Sequence, residues 1–487
     1  MSDEHVPVDA VGRRVFCGGE RATVRYVGPV PPTSGLWLGV EWDNPERGKH
    51  DGSHNGVQYF TCSHPKGGSF VRPAKATFGV DLLAAVQQEY LINPEKVLSE
   101  DVSTFVLYNL WRFFVFSFQD LPSVVLNNSP VNGPGAAGEI RKTLPNVCWL
   151  DLSGTLLSSW EDVAAITEQL DKLEGLQLHR NRLTLPSEPS AHCQAFCNLK
   201  VLALNQCQLT WPQVRILECA IMWPRLEELF LEENNITALQ RPEAVLQTLR
   251  SLSLVNNPLV DGALLGISAL PRLENLNLSG TGISVIQFEA AAPGEQTLMF
   301  PALSVLNLSN NHISEWFVVD ELAKLSRLVK LSCKGNRLVS RDGNPKTARQ
   351  MVIAKLAQLD ILDKCSISSE ERRGAELDYI KMFGEEWLKA GGPGQPNADF
   401  IKQHPRYQEL IDSKSQLIFF FFFSAASMDV LKVKGLLYRM LKVPAADLQL
   451  SYKTPKKPEV EFEINNDQKT LQFFSVEDGD QVLVRWS

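Results

Sequence analysis

Residues 226–236 read LEELFLEENNI and follow the pattern L-x-x-L-x-L-x-x-N-x-L, with Leu226, Leu229, Leu231, Asn234 and Ile236 at its defining positions. Successive copies of this pattern begin 23 to 30 residues apart. The other copies begin at Leu121 (a weaker match), Val147, Leu173, Leu199, Leu249, Leu273, Leu303 and Leu328. Self-similarity at a nearly fixed period predicts one supersecondary unit that is repeated along the chain.

The spacing of the leucines is typical of a leucine-rich repeat, in which a short strand is followed by a turn and a return segment. One copy cannot bury its apolar face alone, so neighbouring copies must stack into a continuous core. An asparagine recurs at the turn, where its amide can bond backbone groups that stacking removes from water. This column holds Asn181, Asn234, Asn257, Asn311 and Asn336, with Thr155, Cys207 and Thr281 in other copies. The sequence therefore predicts an α/β solenoid.

The strand residues between the leucines are expected to line the concave face of the solenoid. They are mostly polar or small and include two aromatic side chains, Trp149 and Phe230. This mixture favours a protein surface as the ligand over a charged polymer. A solvated face without any partner remains the alternative, because a fold alone does not define a function.

Composition limits the class of protein. A chain of 487 residues is long enough for about three domains. The 48 basic and 56 acidic residues give a net charge of −8, which argues against a general nucleic-acid binder. The nine cysteines include no C-x-x-C pair and the N-terminus does not resemble a signal peptide, so a reduced cytoplasmic protein is expected.

Two apolar runs are unusual for a protein of this class. Residues 104–118 (TFVLYNLWRFFVFSF) include Asn109 and Arg112 and are shorter than the ~20 residues of a membrane-spanning helix. Residues 417–423 (LIFFFFF) are shorter still. No membrane crossing is expected. The segments around them, 93–119 and 412–427, are either native elements of the fold or sequence from an alternative exon.

The N-terminal residues 11–77 are rich in glycine and aromatic residues and read as short strands joined by turns. Three motifs stand out: GLWLGVEW at 35–42, RGKHDG at 47–52 and GSFVRP at 68–73. The segment has nine basic and five acidic residues, which gives +4 within a chain of −8. An acidic partner is therefore expected to be steered towards this module.

These motifs resemble the CAP-Gly domain of cytoskeleton-associated proteins. Members of that family are small β-barrels that bind an acidic C-terminal peptide ending in Glu-Glu-Tyr or Glu-Glu-Phe, as on α-tubulin. His50 stands where the family usually has asparagine, and Pro32 stands where many members have an aromatic residue. The resemblance therefore implies a peptide-binding barrel with a shallower aromatic slot.

The residues themselves suit such a ligand. A terminal carboxylate requires a cation and exposed backbone N–H groups, which the glycine-flanked loop around Lys49 is expected to supply. Trp37 and Phe70 are candidate walls for the ligand's aromatic ring, and Arg72 follows Phe70 on the same strand face to bind preceding glutamates. The predicted site comprises Trp37, Gly48, Lys49, His50, Asp51, Gly52, Phe70 and Arg72. Although His50, His54, Cys62 and His64 are close in sequence, their spacing does not resemble a zinc site, and no metal is expected.

The C-terminal third continues with helical and then alternating patterns. A helix is predicted from a capping box at 368–371 to about Lys389, and GGPGQP at 391–396 marks a flexible break. Beyond it, residues 430–441 are predicted to be a helix, and 448–452, 459–464 and 481–486 to be strands. This resembles the later part of a ubiquitin-like β-grasp fold. At most one strand fits before Val430, so the N-terminal hairpin of that fold is expected to be missing.

The order of the three domains resembles the cofactor E family of tubulin-folding chaperones. The corresponding boundaries are 1–77 for the CAP-Gly domain, 78–120 for a helical connector with the first apolar run and 121–390 for the repeats with a cap helix. A linker then covers 391–427 and the ubiquitin-like domain covers 428–487. A further helix is predicted around residues 78–98, and a loop at 127–138. The fold class is thus multidomain: a small β-barrel, a solenoid and a β-grasp domain.

This resemblance implies a chaperone of the cytoplasm and cytoskeleton that acts without ATP. It would bind the acidic tail of α-tubulin, receive α-tubulin from cofactor B, and assemble with cofactors C and D on β-tubulin. It would take part in forming and separating the tubulin heterodimer. The sequence has no nucleophile–base pair, phosphate loop or metal cluster, so neither catalysis nor a cofactor is expected. The alternatives are a microtubule-end adaptor and an adaptor that carries clients to the proteasome through the ubiquitin-like end.

Overall fold

The computed structural model describes residues 6–90, 118–209, 211, 219–288, 296–340, 343–392, 396–415, 428–441, 443–454, 457–476 and 480–486. They form two compact units, 1–281 and 282–487. Both apolar runs lie outside the described residues, except for Phe118. Within the described part of the chain, no helix is long and apolar enough to span a bilayer.

The first unit is built mainly of strands. Its strands are β1 (Arg14–Cys17), β2 (Glu20–Val30), β3 (Thr33–Trp42), β4 (Ser53–His54), β5 (Val57–Gln58), β6 (Gly68–Val71), β7 (Ala76–Thr77), β8 (Val80–Asp81), β9 (Ser123–Val125), β10 (Val131–Gly133), β11 (Trp149–Asp151), β12 (Gly175–Gln177), β13 (Val201–Ala203), β14 (Glu228–Phe230), β15 (Ser251–Ser253) and β16 (Asn275–Asn277). Its helices are α1 (Leu82–Tyr90), α2 (Glu139–Thr143) and α3 (Trp160–Thr167).

The N-terminal module is an antiparallel sheet in the order β6-β3-β2-β1-β7, with β4 and β5 forming a separate hairpin. Its core takes the even-numbered residues of β3, among them Leu38, Val40 and Trp42, all of which are buried. Successive strand residues point to opposite faces. The odd-numbered residues of β3, Trp37, Gly39 and Glu41, therefore share the outer face, where the predicted site lies.

Residues 78–90 pack against the start of the repeats. Strand β8 pairs in parallel with β10, and helix α1 follows β8 directly. The helix predicted for 78–98 is confirmed over 82–90, while 91–98 lie outside the described residues. The loop predicted at 127–138 is wrong at β10, because Val131 is fully buried and pairs with Val80.

The repeats form a parallel sheet in which β9 and β11 to β16 follow one another in sequence order. The central residue of each strand pairs with the central residue of its neighbours, as in Leu202↔Leu229 and Leu229↔Leu252. These central residues are buried. The prediction of stacked leucine-rich repeats is confirmed by this common register.

The asparagine column bonds neighbouring repeats together. Asn234 donates to the carbonyl oxygens of Leu204 (2.9 Å) and Leu231 (3.0 Å), and its Oδ1 accepts from the N–H groups of Cys207 (2.9 Å) and Leu209 (3.0 Å). Leu204, Cys207 and Leu209 belong to the preceding repeat. The Asn234 side chain therefore pairs backbone groups that stacking has removed from water.

The second unit contains the remaining repeats, a group of helices and a C-terminal domain. Its strands are β17 (Val305–Asn307), β18 (Lys330–Ser332), β19 (Ile361–Leu362), β20 (Cys365–Ser366), β21 (Leu448–Thr454), β22 (Lys457–Ile464) and β23 (Gln481–Trp486). Its helices are α4 (Phe317–Ala323), α5 (Pro345–Lys355), α6 (Ser369–Lys389), α7 (Ala398–Gln403), α8 (Tyr407–Ser415) and α9 (Val430–Leu441).

The helix predicted after the repeats is α6, and its capping residue is confirmed. The Ser368 hydroxyl accepts the backbone N–H of Glu371 at 3.1 Å, which pairs one of the four free N–H groups of the first turn. The segment predicted as a linker differs from that expectation, because it contains α7 and α8. Tyr407 is buried and donates its hydroxyl to the carbonyl oxygen of Ile380 in α6 at 2.8 Å.

The C-terminal domain packs α9 on a sheet in the order β22-β21-β23. Its core includes Val430, Val433, Leu450 and Ile464, all buried. The predicted helix at 430–441 and the three predicted strands are confirmed as elements of this ubiquitin-like fold. Residues 416–427 lie outside the described residues, so the expected lack of an N-terminal hairpin stays a prediction.

Candidate peptide-binding site

The loop from Gly48 to Gly52 is held against β6 by its backbone. Both Lys49 and His50 donate their N–H groups to the carbonyl oxygen of Gly68, at 2.7 and 3.2 Å. A Cβ atom at Gly48 would lie 1.9 Å from the carbonyl oxygen of Lys66. Gly52 has φ +103°, and a Cβ atom there would lie 2.0 Å from the carbonyl oxygen of Phe60. Both glycines are therefore required by close packing, and Gly52 also by its backbone conformation.

The loop differs from its expected role as a source of free N–H donors. Besides those of Lys49 and His50, the N–H of Gly52 donates to Nδ1 of His50 at 3.0 Å. The exposed Asp51 accepts from the N–H and the hydroxyl of Ser53 at 3.0 and 2.6 Å, and the hydroxyl bond lowers the pKa of its carboxyl group. Asp51 thus closes the turn. The charge available to an anionic ligand is mainly the ammonium group of Lys49.

Lys49 is exposed, and among the described residues no carboxylate lies within ion-pair distance of it. Four other cations of the module are already paired with carboxylates. The pairs are Arg13–Asp9, Arg14–Asp43, Arg25–Glu41 and Arg47–Glu20. These pairs neutralise part of the positive charge counted in the sequence, whereas the charge of Lys49 stays available to a ligand.

His50 anchors the loop in two ways, by stacking its ring on Phe70 and by accepting a hydrogen bond at Nδ1. The ring stacks on Phe70 with centroids 5.0 Å apart and an interplanar angle of 29°. Burial is the main cause that lowers the pKa of His50. Since Nδ1 accepts from Gly52, the neutral ring carries its proton on Nε2, which is then a hydrogen-bond donor.

We expect acid to destabilise this module through His50. Because its folded-state pKa lies below the ordinary value of about 6.5, the unfolded chain takes up the proton first as the pH falls. The stabilisation is complete above about pH 6.5 and is lost as the pH falls through the folded pKa. Hydrogen exchange of the Gly52 amide between pH 7.5 and 5.5, corrected for intrinsic rates, should show this loss.

Two histidine substitutions identify the titrating group, one at His50 as the test and one at His312 as the matched control. His50→Asn should remove the pH-dependent part of the Gly52 protection, because asparagine does not titrate. The exposed His312→Asn should leave it unchanged. If His50→Asn kept the same pH dependence as the wild type, the titrating group would be a different one.

Trp37 and Arg72 form a pair across β3 and the end of β6. The Arg72 guanidinium lies 3.8 Å from the Trp37 ring centroid and donates to the carbonyl oxygen of Leu36 at 3.2 Å. The indole Nε1 donates to the Thr33 hydroxyl at 2.9 Å. One face of Trp37 is thus covered by a cation. Arg72 therefore occupies one face of the Trp37 ring, and the role of Trp37 as a wall for the ligand's aromatic ring stays a prediction.

Phe70 is the centre of an aromatic cluster that the sequence analysis only partly identified. Its ring centroid lies 5.4 Å from that of Tyr59, 5.5 Å from Phe60 and 6.4 Å from Tyr26. Tyr26 was missed because an irregularity in the pairing of β2 with β3, between Val24 and Tyr26, places it opposite Gly39, and regular alternation does not predict this. Gly39 leaves space for this cluster, because a Cβ atom there would lie 2.5 Å from the Phe60 ring.

The cluster has a buried base and an accessible rim. Phe60 is buried, whereas Phe70, Tyr26 and Tyr59 are half-buried. His54, also missed, meets the edge of Phe70 at 6.2 Å. Aromatic rings in this arrangement provide an apolar surface with polar tips, which suits an aromatic side chain that carries a hydroxyl group.

The fold does not bring three of the side chains His50, His54, Cys62 and His64 together as one group of potential metal ligands. No group of three or more metal-ligating side chains occurs within the part of the chain that the structure describes. Burial raises the pKa of the Cys62 thiol to about 11, and Nδ1 of His64 accepts the N–H of Lys66 at 3.3 Å.

Asp43 connects the module to the repeats. Its carboxylate binds the buried Arg14, with Nη1 of Arg14 at 2.6 Å from Oδ1, and it also lies 3.3 Å from Nε of Arg182 in the repeats. Nη2 of Arg182 donates to the carbonyl oxygen of Asp43 at 2.9 Å. One residue is therefore shared by the two parts of this unit.

Comparison with known proteins gives one family model and several full-length relatives. The CAP-Gly domain model matches residues 11–76. "Tubulin-specific chaperone E" of Danio rerio is 52% identical over 519 residues, covering 98% of this chain and 99% of that protein. The protein of the same name from Xenopus laevis is 47% identical, covering 99% of each. The solution structure of the C-terminal ubiquitin-like domain of mouse tubulin-specific chaperone e matches 13% of this chain and 64% of that chain, with 60% identity and a TM-score of 0.13.

Proposed function

Because the chain belongs to the tubulin-specific chaperone E family, we propose that its N-terminal module binds the acidic C-terminal tail of α-tubulin. The observation that carries this proposal is the unpaired Lys49, fixed by the Gly48–Gly52 loop next to the half-buried aromatic rim around Phe70. A cation beside an aromatic surface matches a peptide that ends in a carboxylate on an aromatic residue.

Each part of such a tail has a counterpart in the site. Lys49 would bind the terminal carboxylate, with the Nε2–H of His50 as a second donor. The terminal aromatic ring would pack on Phe70, Tyr26 and Tyr59. Arg72, held in place by Trp37, would bind the preceding glutamates, because guanidinium groups match carboxylates in geometry and charge.

The repeats would provide a second contact, to the folded body of α-tubulin. The strand residues of the first unit include the half-buried Trp149 and Phe230 among polar side chains, which suits a protein partner. Two linked contacts raise the effective concentration of the second contact once the first has formed. The link through Asp43 supports this arrangement, because it keeps the module next to the repeats.

Removal of the last residue of α-tubulin is expected to weaken its binding to the full chain at least about tenfold, since the terminal carboxylate and ring are both lost. The affinity of purified α-tubulin, intact and shortened by one residue, can be measured by titration. Equal affinity for the two forms would contradict the anchoring role of the tail.

We also propose, on the basis of the family, that the chain works in the cytoplasm with cofactors B, C and D. It would assemble α- with β-tubulin and separate existing heterodimers, by binding and not by catalysis. Copurification of each cofactor with the full chain tests these partners one by one. Sedimentation with microtubules instead of complexes with free tubulin would favour the microtubule-end adaptor. Proteasome binding that depends on residues 428–487 would favour the adaptor that carries clients to the proteasome.

A further inference from the structure

Four arginines lie along the contact between the module and the repeats. We call this group the basic seam: Arg14, Arg21, Arg180 and Arg182. Arg14 and Arg182 are paired with Asp43. The seam therefore has more positive charge than this acid can neutralise.

The other two arginines are held by neutral side chains. Arg21 donates to Oδ1 of Asn128 at 2.6 Å, and Arg180 donates to Oδ1 of Asn127 at 3.1 Å. Neither lies within ion-pair distance of a carboxylate among the residues that the structure describes. Arg180 is exposed and Arg21 is half-buried. Asparagines thus orient two guanidinium groups and leave their charges available to an anion.

Within the seam, Arg21 is close to the peptide site and on the same side of the sheet. Thr23 pairs with Glu41, so Arg21, two residues from Thr23, shares the outer face with Glu41, Gly39 and Trp37. Lys49 bonds to Gly68, Gly68 pairs with Glu41, and the adjacent Trp42 pairs with Ala22. The backbones of Lys49 and Arg21 are thus about three strand spacings apart, and at about 4.8 Å each these amount to roughly 14 Å. Four or five residues of an extended peptide can cover this distance.

We propose that the basic seam binds the acidic residues that lie upstream of the peptide's C-terminal end. This inference rests on the proposed function, since it concerns the same ligand. Arg21 and Arg180 would bind side-chain carboxylates about five or more residues before the terminus. An acidic protein segment is the occupant that charge complementarity favours, because the chain as a whole carries −8 and would repel a long nucleic acid.

The test uses the full chain and two synthetic peptides. One peptide has three residues, Glu-Glu-Tyr, and the other has twelve, with glutamates preceding the same ending. The variant is Arg21→Gln with Arg180→Gln, which leaves Asp43 and its partners in place. It should bind the long peptide about three- to tenfold more weakly than the wild type does, and its affinity for the short peptide should be unchanged. The difference for the long peptide should become smaller at high salt, because salt screens the charges.

Several outcomes would overturn this inference. Equal affinity of the wild type and the variant for the long peptide would show that the seam makes no contact. Equal weakening for both peptides would show that the arginines act through the fold of the module. Arg225→Gln is the matched control, because Arg225 is also held by an asparagine, Asn198 at 3.3 Å, and it should change neither affinity. If the proposed site itself were wrong, substitution of Lys49 and Arg72 would leave short-peptide binding unchanged, a result that is independent of the seam.

Discussion

Replacement of Lys49 by methionine together with Arg72 by glutamine is expected to weaken capture of a Glu-Glu-Tyr peptide by about 30- to 150-fold. Both substitutions keep much of the side-chain length and remove the charge. Charge-assisted hydrogen bonds contribute about 1.5–3 kcal/mol each when they are well formed, and exposure of Lys49 reduces its share. A total of about 2–3 kcal/mol corresponds to the stated change in affinity.

Titration of the peptide into the full chain measures this effect directly. The control is Arg13→Gln with Lys75→Met, which removes the same charge from the same module but away from the loop and the aromatic cluster. It should reduce affinity only slightly, through the loss of long-range attraction. Wild-type affinity in the Lys49 and Arg72 double variant would disprove the proposed site.

Asn234→Ala is expected to destabilise the first unit by about 3–5 kcal/mol. The substitution removes Oδ1, the acceptor that the N–H groups of Cys207 and Leu209 share, and leaves the carbonyl oxygen of Leu204 without its amide donor. Each buried polar group left unpaired costs about 1–3 kcal/mol. Asn234 is 4% exposed, so water cannot readily replace the lost bonds.

Hydrogen exchange in the repeats on either side of Asn234 is the suitable measurement, because a chain of several domains does not unfold in one step. Amides of Leu204 and Leu231 should lose most of their protection in the variant. The adjacent, exposed Asn235→Ala is the control and should change stability by less than about 0.5 kcal/mol. Similar exchange in the two variants would show that the asparagine column is not a main source of stability.

The repeats could be predicted from sequence because their signal is a period, which many residues share. Strand β10 could not be predicted from the sequence, because its three residues, Val131 to Gly133, follow a proline in a segment rich in turn residues. Its pairing partner is β8, about fifty residues earlier. A strand that is defined by one distant partner leaves little local signal.

In the candidate site, the residue types were predictable but their mutual contacts were not. Lys49 and Phe70 remain candidates for the two ends of the ligand. The stacking of Arg72 on Trp37, however, depends on the register of β3 and β6, which no motif records. The same holds for the loop amides, since the acceptor that binds two of them is the carbonyl oxygen of Gly68 in a separate strand.

The shared carboxylate of Asp43 has a mechanical consequence. A pull on a tail held by the N-terminal module would pass through Arg14, Asp43 and Arg182 into the parallel sheet, and not only into the connecting segment. Tension on the tail of a client would thus be transmitted to the surface of the repeats that is proposed to hold the folded body of the same client.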